Sequence, residues 1–208
     1  ALHREGPLLG RDLRHGQVGV DPVERGVRGD VRAHPGQAEV DASIQRLFTY
    51  AAWADKYDGH AKSVPIRGIA LAMNEPTGVI GALCPDEAPL LGLISLMAPA
   101  IAVGNTVILV PGQHPLSATD FYQILDTSDV PAGVVNIVTG PAQDLAKSLA
   151  GHMDVNAIDV TGAGDEAAEL EILAADNVKR VVKAGSEQSP WEISAFLEHK
   201  TVWHPVGT

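Results

Sequence analysis

Residues Gly78–Gly112 read GVIGALCPDEAPLLGLISLMAPAIAVGNTVILVPG, and their pattern decides the fold. A short apolar run, Gly78–Leu83, stops at a Cys-Pro turn. Pro89 opens a segment apolar on every side, Pro89–Val103, closed by Gly104-Asn105. A second short run, Thr106–Leu109, follows and leads into Pro111-Gly112. Runs this short, with no polar alternation, suit strands buried on both faces, and a helix between two of them makes the pair parallel. The spacing predicts a strand–helix–strand unit with a right-handed crossover. The segment Ala88–Gly104, interrupted by Ser95 and Pro99, falls short of the roughly 20 apolar residues that span a bilayer. It reads as a buried helix of a soluble protein.

The same alternation extends outward. Further strands are predicted near Gly68–Met73, Val134–Val138, Ala157–Val160 and Arg180–Val182, and helices near Ser117–Leu125, Gln143–Leu149 and Asp165–Ala174. Asp41–Tyr57 sets Ile44, Leu47, Phe48 and Ala51 at helical spacing, with Asp41 or Ser43 as N-cap. The expectation is an α/β protein: a Rossmann-like parallel sheet with helices on both faces.

Composition bounds the function. The net charge of −11 opposes nucleic acid or an anionic membrane as partner. Cys84 is the only cysteine, so no disulfide forms within the chain and a reducing, cytoplasmic location is expected. Residues 1–38 differ from the rest: six Arg, no Lys, no aromatic residue, and no apolar period. They carry +1 (six Arg against five acids), which leaves −12 for residues 39–208. A basic recruiting arm would need more charge. The composition suits a disordered leader, or a GC-rich coding region read in another frame.

Ligands of such sheets bind beyond the carboxyl ends of the strands, so the turns there hold the candidate chemistry. Cys84 ends a strand ahead of a helix, where a thiolate would gain from the helix dipole. Asp86 and Glu87 beside it would be expected to raise its pKa instead, which favours an inert, buried cysteine. The turn after Val107–Val110 offers Val110 and Gln113 where a nucleotide site would want a cation and an acid, and His114 reads as a solvated loop residue. In Asp159–Asp165, DVTGAGD, the residues Gly162, Gly164 and Ala167 fit G-x-G-x-x-[GA]. That signal is weak alone, and Asp165 and Glu166 at the following helix start would repel a pyrophosphate. No paired spacing of His with acids or thiol suggests a metal site.

The stretch Asn74–Ala118, NEPTGVIGALCPDEAPLLGLISLMAPAIAVGNTVILVPGQHPLSA, resembles the cofactor-domain core of the aldehyde dehydrogenase superfamily. VPAGVVNIVTGP, Val130–Pro141, is similar to the family's next turn and strand, and the resemblance runs from about Glu39 to Val182. LFTYAAWADKYDG, CPDEAPLLG, LSATDFYQILDTSDVP and the tail FLEHKTVWHPVG resemble one branch, aldehyde dehydrogenase family sixteen. Its chains look like a complete enzyme followed by a shortened, degenerate copy. DVTGAGD also resembles the anion-hole signature of ribokinase-type sugar kinases. Those place small residues and a glycine where Glu169 and Leu170 stand here.

The resemblance implies NAD or NADP as cofactor, and the departures imply weak or no binding. Asp86 and Glu87 stand at the family's Trp and Asn positions, where the asparagine helps hold an oxyanion, and a carboxylate cannot donate that bond. Val110 replaces a ribose-reaching lysine, and Gln113 a ribose-binding glutamate. The degenerate cofactor site comprises Cys84, Pro85, Asp86, Glu87, Val110, Gln113, Gly140, Thr161, Gly162 and Ala163. The segment that supplies the general base would fall on Ala184–Gln188, AGSEQ, and only residues 183–195 separate the last sheet strand from the tail. The family's catalytic domain is expected to be missing, with no catalytic residue in the chain. Residues 39–190 are expected to form the cofactor-binding domain, and 191–208 a tail whose Lys200–Trp203 suits an oligomerisation strand. The implied function is a non-catalytic family module that forms a homo-oligomer or assembles with a full-length aldehyde dehydrogenase copy. The alternative is a fragment of an NAD(P)-dependent enzyme whose catalytic half lies elsewhere.

Overall fold

The computed structural model describes residues 35–183 and 190–206. The expected leader lies outside them up to residue 34, as does Ala184–Gln188. In chain order the elements are α1 (Pro35–Trp53), β1 (His60–Ser63), β2 (Gly68–Pro76), β3 (Val79–Leu83), α2 (Pro89–Ala102), β4 (Thr106–Val110) and α3 (Leu116–Asp126). Then come β5 (Val135–Ile137), α4 (Ala142–Gly151), β6 (Ala157–Asp159), a 3-10 turn (Thr161–Glu166), α5 (Ala167–Ala174), β7 (Arg180–Val182), α6 (Pro190–Ala195) and β8 (Leu197–Pro205).

The quoted stretch forms β3, α2 and β4, and β3 and β4 pair in parallel with Ala82 opposite Leu109 and Leu83 opposite Val110. The parallel sheet has the order β5-β4-β3-β6-β7. Alternate residues of its central strands feed two separate cores. Ile80, Ala82, Val107 and Leu109 face Leu93, Met97 and Phe121 of α2 and α3. Leu83, Val110 and Ile158 face Ala146, Ala150 and Leu170 of α4 and α5. Helices therefore cover both faces, and Ala, Val, Ile and Leu make up most of both cores.

Three expectations are corrected. Gly68–Met73 is not a strand of the parallel sheet. It belongs to β2, the centre of a second, antiparallel sheet of order β1-β2-β8. The alternation in Gly68–Met73 marks it: Ala70 is buried while Ile69, Leu71 and Met73 are exposed, a period of two that suits a one-sided sheet. β1, His-Ala-Lys-Ser, carries no apolar pattern and is a strand only because β2 pairs with it. The first helix begins at Pro35 rather than near Asp41, Pro being favourable in a first turn. Its buried side is the predicted one only at Leu47, and Ala51 is exposed. Ile44 and Phe48 are exposed, whereas Ser43 and Tyr50 are buried and Leu47 is half-buried against the core.

Buried polar side chains fix the connections. The Asn105 amide, 1% exposed, donates to the carbonyls of Ala100 and Phe196, both at 3.0 Å, and accepts from the Gly78 amide at 2.8 Å. It thereby ties the end of α2 to the start of β3 and to the chain entering β8. The Lys179 ammonium donates to the carbonyls of Leu149 and His152 at the end of α4. Arg180 donates to the carbonyls of Ala195 and Leu197 at 2.7 and 2.8 Å, holding the tail to the parallel sheet.

Candidate functional site

Strands β3, β4 and β5 step outward in one direction, and β6 then returns to the other side of β3. The chain order reverses there, and the crevice beyond the carboxyl ends of strands at such a reversal is where open α/β sheets bind ligands. A cleft of about 610 Å³ lies at this place, walled by the turns after β3, β4, β5 and β6. Of the ten residues expected in the site, it brings together Cys84, Asp86, Val110, Gln113, Gly140, Gly162 and Ala163. Asp165 and Glu166 stand on its wall as well.

The remaining three lie off the cleft wall. Pro85 backs the turn against α2, so close that a Cβ on Gly92 would stand 2.7 Å from its ring. Glu87 is exposed outside the lining. The Thr161 hydroxyl donates to the buried Asp159 carboxylate at 2.6 Å, and the Thr161 amide to the same oxygen at 2.9 Å. Thr161 thus shapes the turn after β6.

The G-x-G pattern has a structural cause. A Cβ on Gly162 would lie 2.3 Å from the Cys84 carbonyl oxygen and 2.6 Å from that of Leu83. The missing side chain lets the turn pack on the end of β3. Gly164 supplies a positive φ of 55°. The helix expected from Asp165 starts at Ala167, behind the 3-10 turn, so Asp165 and Glu166 precede the helix instead of sitting in its first turn.

Cys84 is 4% exposed, and its amide continues the sheet by donating to the Val110 carbonyl at 2.9 Å. Burial, with the Asp159 charge adding to it, pushes the thiol up to about 12. The group stays protonated at neutral pH and is no nucleophile. Because its pKa rises on folding, it contributes stability that is complete below the unfolded value of about 9 and fades as pH climbs towards 12.

Carboxylates hold amides both on the cleft wall and at the nearby start of α2. Asp86 accepts from the Gln113 backbone N–H at 2.6 Å and from its side-chain amide at 3.2 Å, bridging the turns after β3 and β4. Glu39, reaching over from α1, accepts from the Leu90 and Leu91 amides in the first turn of α2, at 2.8 and 3.1 Å. Nothing in the local sequence pairs Glu39 with α2, which carries no side-chain cap of its own. Gly112 also stands on the wall, although its sequence context does not single it out. It belongs to the Pro-Gly turn, where Asp86 leaves no room for a Cβ. The cleft lining includes three carboxylates, Asp86, Asp165 and Glu166, and no Lys, Arg or His among the described residues. A dinucleotide needs cations or free N–H groups for its phosphates. The cleft lining supplies no such cation, and the Gln113 amides are taken by Asp86.

Among the described residues no group of three or more His, Cys, Asp or Glu is placed to hold a metal ion. No helix among them is long and apolar enough to cross a membrane.

Comparison with known proteins agrees with this architecture. The mitochondrial aldehyde dehydrogenase of Homo sapiens is 35% identical over 156 residues, 73% of this chain and 30% of its own. Cytosolic aldehyde dehydrogenase 1 of Mus musculus is 33% identical over 166 residues, 78% of this chain and 33% of its own. The betaine aldehyde dehydrogenase of Staphylococcus aureus, solved in complex with NAD+, superposes with a TM-score of 0.68 at 26% identity, over 71% of this chain and 30% of that one. The chain thus spans about a third of the length of the curated relatives it matches. The model of the aldehyde dehydrogenase family matches residues 29–200. On the extent of that match, the chain belongs to the aldehyde dehydrogenase family.

Proposed function

We propose that the chain is a non-catalytic cofactor-domain module of this family, most like the degenerate C-terminal copy of aldehyde dehydrogenase family sixteen. In this reading it acts in the cytoplasm by assembly with a second copy of itself or with a full-length aldehyde dehydrogenase. The observation that carries the reading is the chemistry of the cleft: Asp86 takes the Gln113 amides on its wall, and no cation among the lining residues offsets the carboxylates. The protonated, buried Cys84 supports it. NAD and NADP are expected to bind weakly or not at all.

The assembly half of the reading is supported by the second sheet. β8 pairs with β2 along nine positions, from Gly68 opposite Pro205 to Pro76 opposite Leu197, and no described strand pairs with its outer edge. The expected pairing segment Lys200–Trp203 lies within it. Ile69, Leu71 and Met73 share one face with Val202, all exposed. An open edge beside exposed apolar side chains suits addition of a partner strand. Light scattering tests this, on the chain alone and mixed with a full-length enzyme of the family. A mass of two or more copies, or of a mixed complex, is expected. A monomer that leaves the enzyme's mass unchanged overturns the assembly role.

A second reading has one observation in its favour. The parallel sheet and its cleft are intact while the chain spans about a third of its relatives, as expected for a fragment of an NAD(P)-dependent enzyme whose catalytic half is supplied elsewhere.

A further inference from the structure

The mismatch between cleft and cofactor centres on one contact. Gln113 follows β4, and its N–H is a donor of the kind that ligand oxygens use at the end of a parallel strand. That N–H and the side-chain amide both point to Asp86, at 2.6 and 3.2 Å. The fit extends to the backbone beneath: a Cβ on Gly112 would stand 1.9 Å from the Asp86 carboxylate oxygen, so only glycine admits the carboxylate. Asp86, Gly112 and Gln113 thus form a fitted set, contributed by two turns and placed on the cleft wall.

We propose that Asp86 is a built-in occupant of the cleft, whose carboxylate takes the hydrogen bonds that an oxygen of a nucleotide would otherwise accept at Gln113. The contact latches the turns after β3 and β4 together and excludes nucleotides by occupation, in addition to the repulsion from Asp165 and Glu166. The proposal rests on the reading of this cleft as a degenerate cofactor site.

Calorimetric titration of the parent chain and the Asp86→Ala variant tests it, with NAD, adenosine and pyrophosphate as separate ligands and amide hydrogen exchange at Gln113 as a second readout. In the parent the Gln113 amide is protected. In Asp86→Ala it exchanges freely, and affinity for NAD and adenosine rises about tenfold or more, since a hydrogen bond to a charged group is being vacated. Asp165→Asn removes a charge from the same wall but leaves the latch, so its gain stays below about threefold and fades with salt. A gain for pyrophosphate in place of adenosine keeps Asp86 as the occupant and assigns the competing oxygen to phosphate. If Asp86→Ala does not fold, Asp86→Asn keeps the shape with one acceptor oxygen and shows a smaller gain in the same direction. The proposal is overturned if Gln113 is freed while all three affinities stay within about threefold of the parent. It is also overturned if Asp165→Asn gains as much as Asp86→Ala. A gain in binding without aldehyde turnover leaves the non-catalytic reading standing, whereas turnover by the parent overturns that reading whatever Asp86 does.

Discussion

Replacement of Asn105 by Asp is expected to be among the most damaging single changes in the described residues. The side chain is 1% exposed. Its Nδ2 donates to the carbonyls of Ala100 and Phe196, and its Oδ1 accepts from Gly78. Asp at this position would keep the acceptor but turn a second oxygen towards two carbonyl oxygens. The Phe196 carbonyl would keep only the Thr77 amide and the Ala100 carbonyl only the Asn105 backbone amide, both at 3.2 Å, and either a buried charge facing two carbonyl oxygens or a forced protonation would follow. Losing the two donated bonds and setting a buried carboxyl group against their acceptors costs about 1–3 kcal/mol per lost bond, so a total of about 4 kcal/mol is expected. In a chain of this length that lowers the thermal midpoint by roughly 8–16 °C. Asn105→Ala loses the two donated bonds and also leaves the Gly78 N–H without its acceptor, but it brings in no charge, and it should fall between parent and Asp. Circular dichroism melts of the three proteins check the order. A midpoint for Asp within about 2 °C of the parent would show that the amide does not carry this junction.

Gly162→Ala should be nearly as costly, for a steric reason. Its Cβ would meet the Cys84 and Leu83 carbonyl oxygens at 2.3 and 2.6 Å. Both are backbone atoms at the end of a central strand, so no flexible side chain can swing aside. Either the turn lifts off β3 or the sheet end shifts. Overpacking of a fixed site costs about 3 kcal/mol, and the loss should show as a lower urea midpoint with an unchanged slope. Gly151→Ala is the comparison: nothing lies within 4 Å of a Cβ there, and its midpoint should stay near the parent's. Equal midpoints for the two variants would refute the close-packing account of Gly162.

These two residues also show what sequence reasoning reaches. The parallel sheet was legible because Gly78–Leu83 and Thr106–Leu109 are apolar without alternation and flank an apolar helix. That pattern depends only on neighbours along the chain. The second sheet needed the period-two reading of Ile69, Leu71 and Met73, masked by the small Ala70 and Ala72 between them. β1 was invisible, since His60–Ser63 becomes a strand by pairing alone. In the site, the positions expected from the resemblance gathered in one cleft for seven residues of ten, because strand ends in a parallel sheet converge. The Glu39 cap and the Asp86 latch were not legible. Each joins residues remote in sequence, 51 apart for Glu39 and Leu90 and 27 apart for Asp86 and Gln113. From its position in the chain Asp86 reads only as an acid beside Cys84 that cannot donate to an oxyanion. The structure adds that its carboxylate is already spent on Gln113.

On the proposed reading, this family member carries no aldehyde chemistry of its own. Steady-state reduction of NAD and NADP by the purified chain, with short aliphatic and aromatic aldehydes and each coenzyme in excess, tests that most directly. No rate above the enzyme-free blank is predicted with any pair. Aldehyde-dependent reduction that scales with protein concentration, above all if Cys84→Ser abolishes it, would contradict the account.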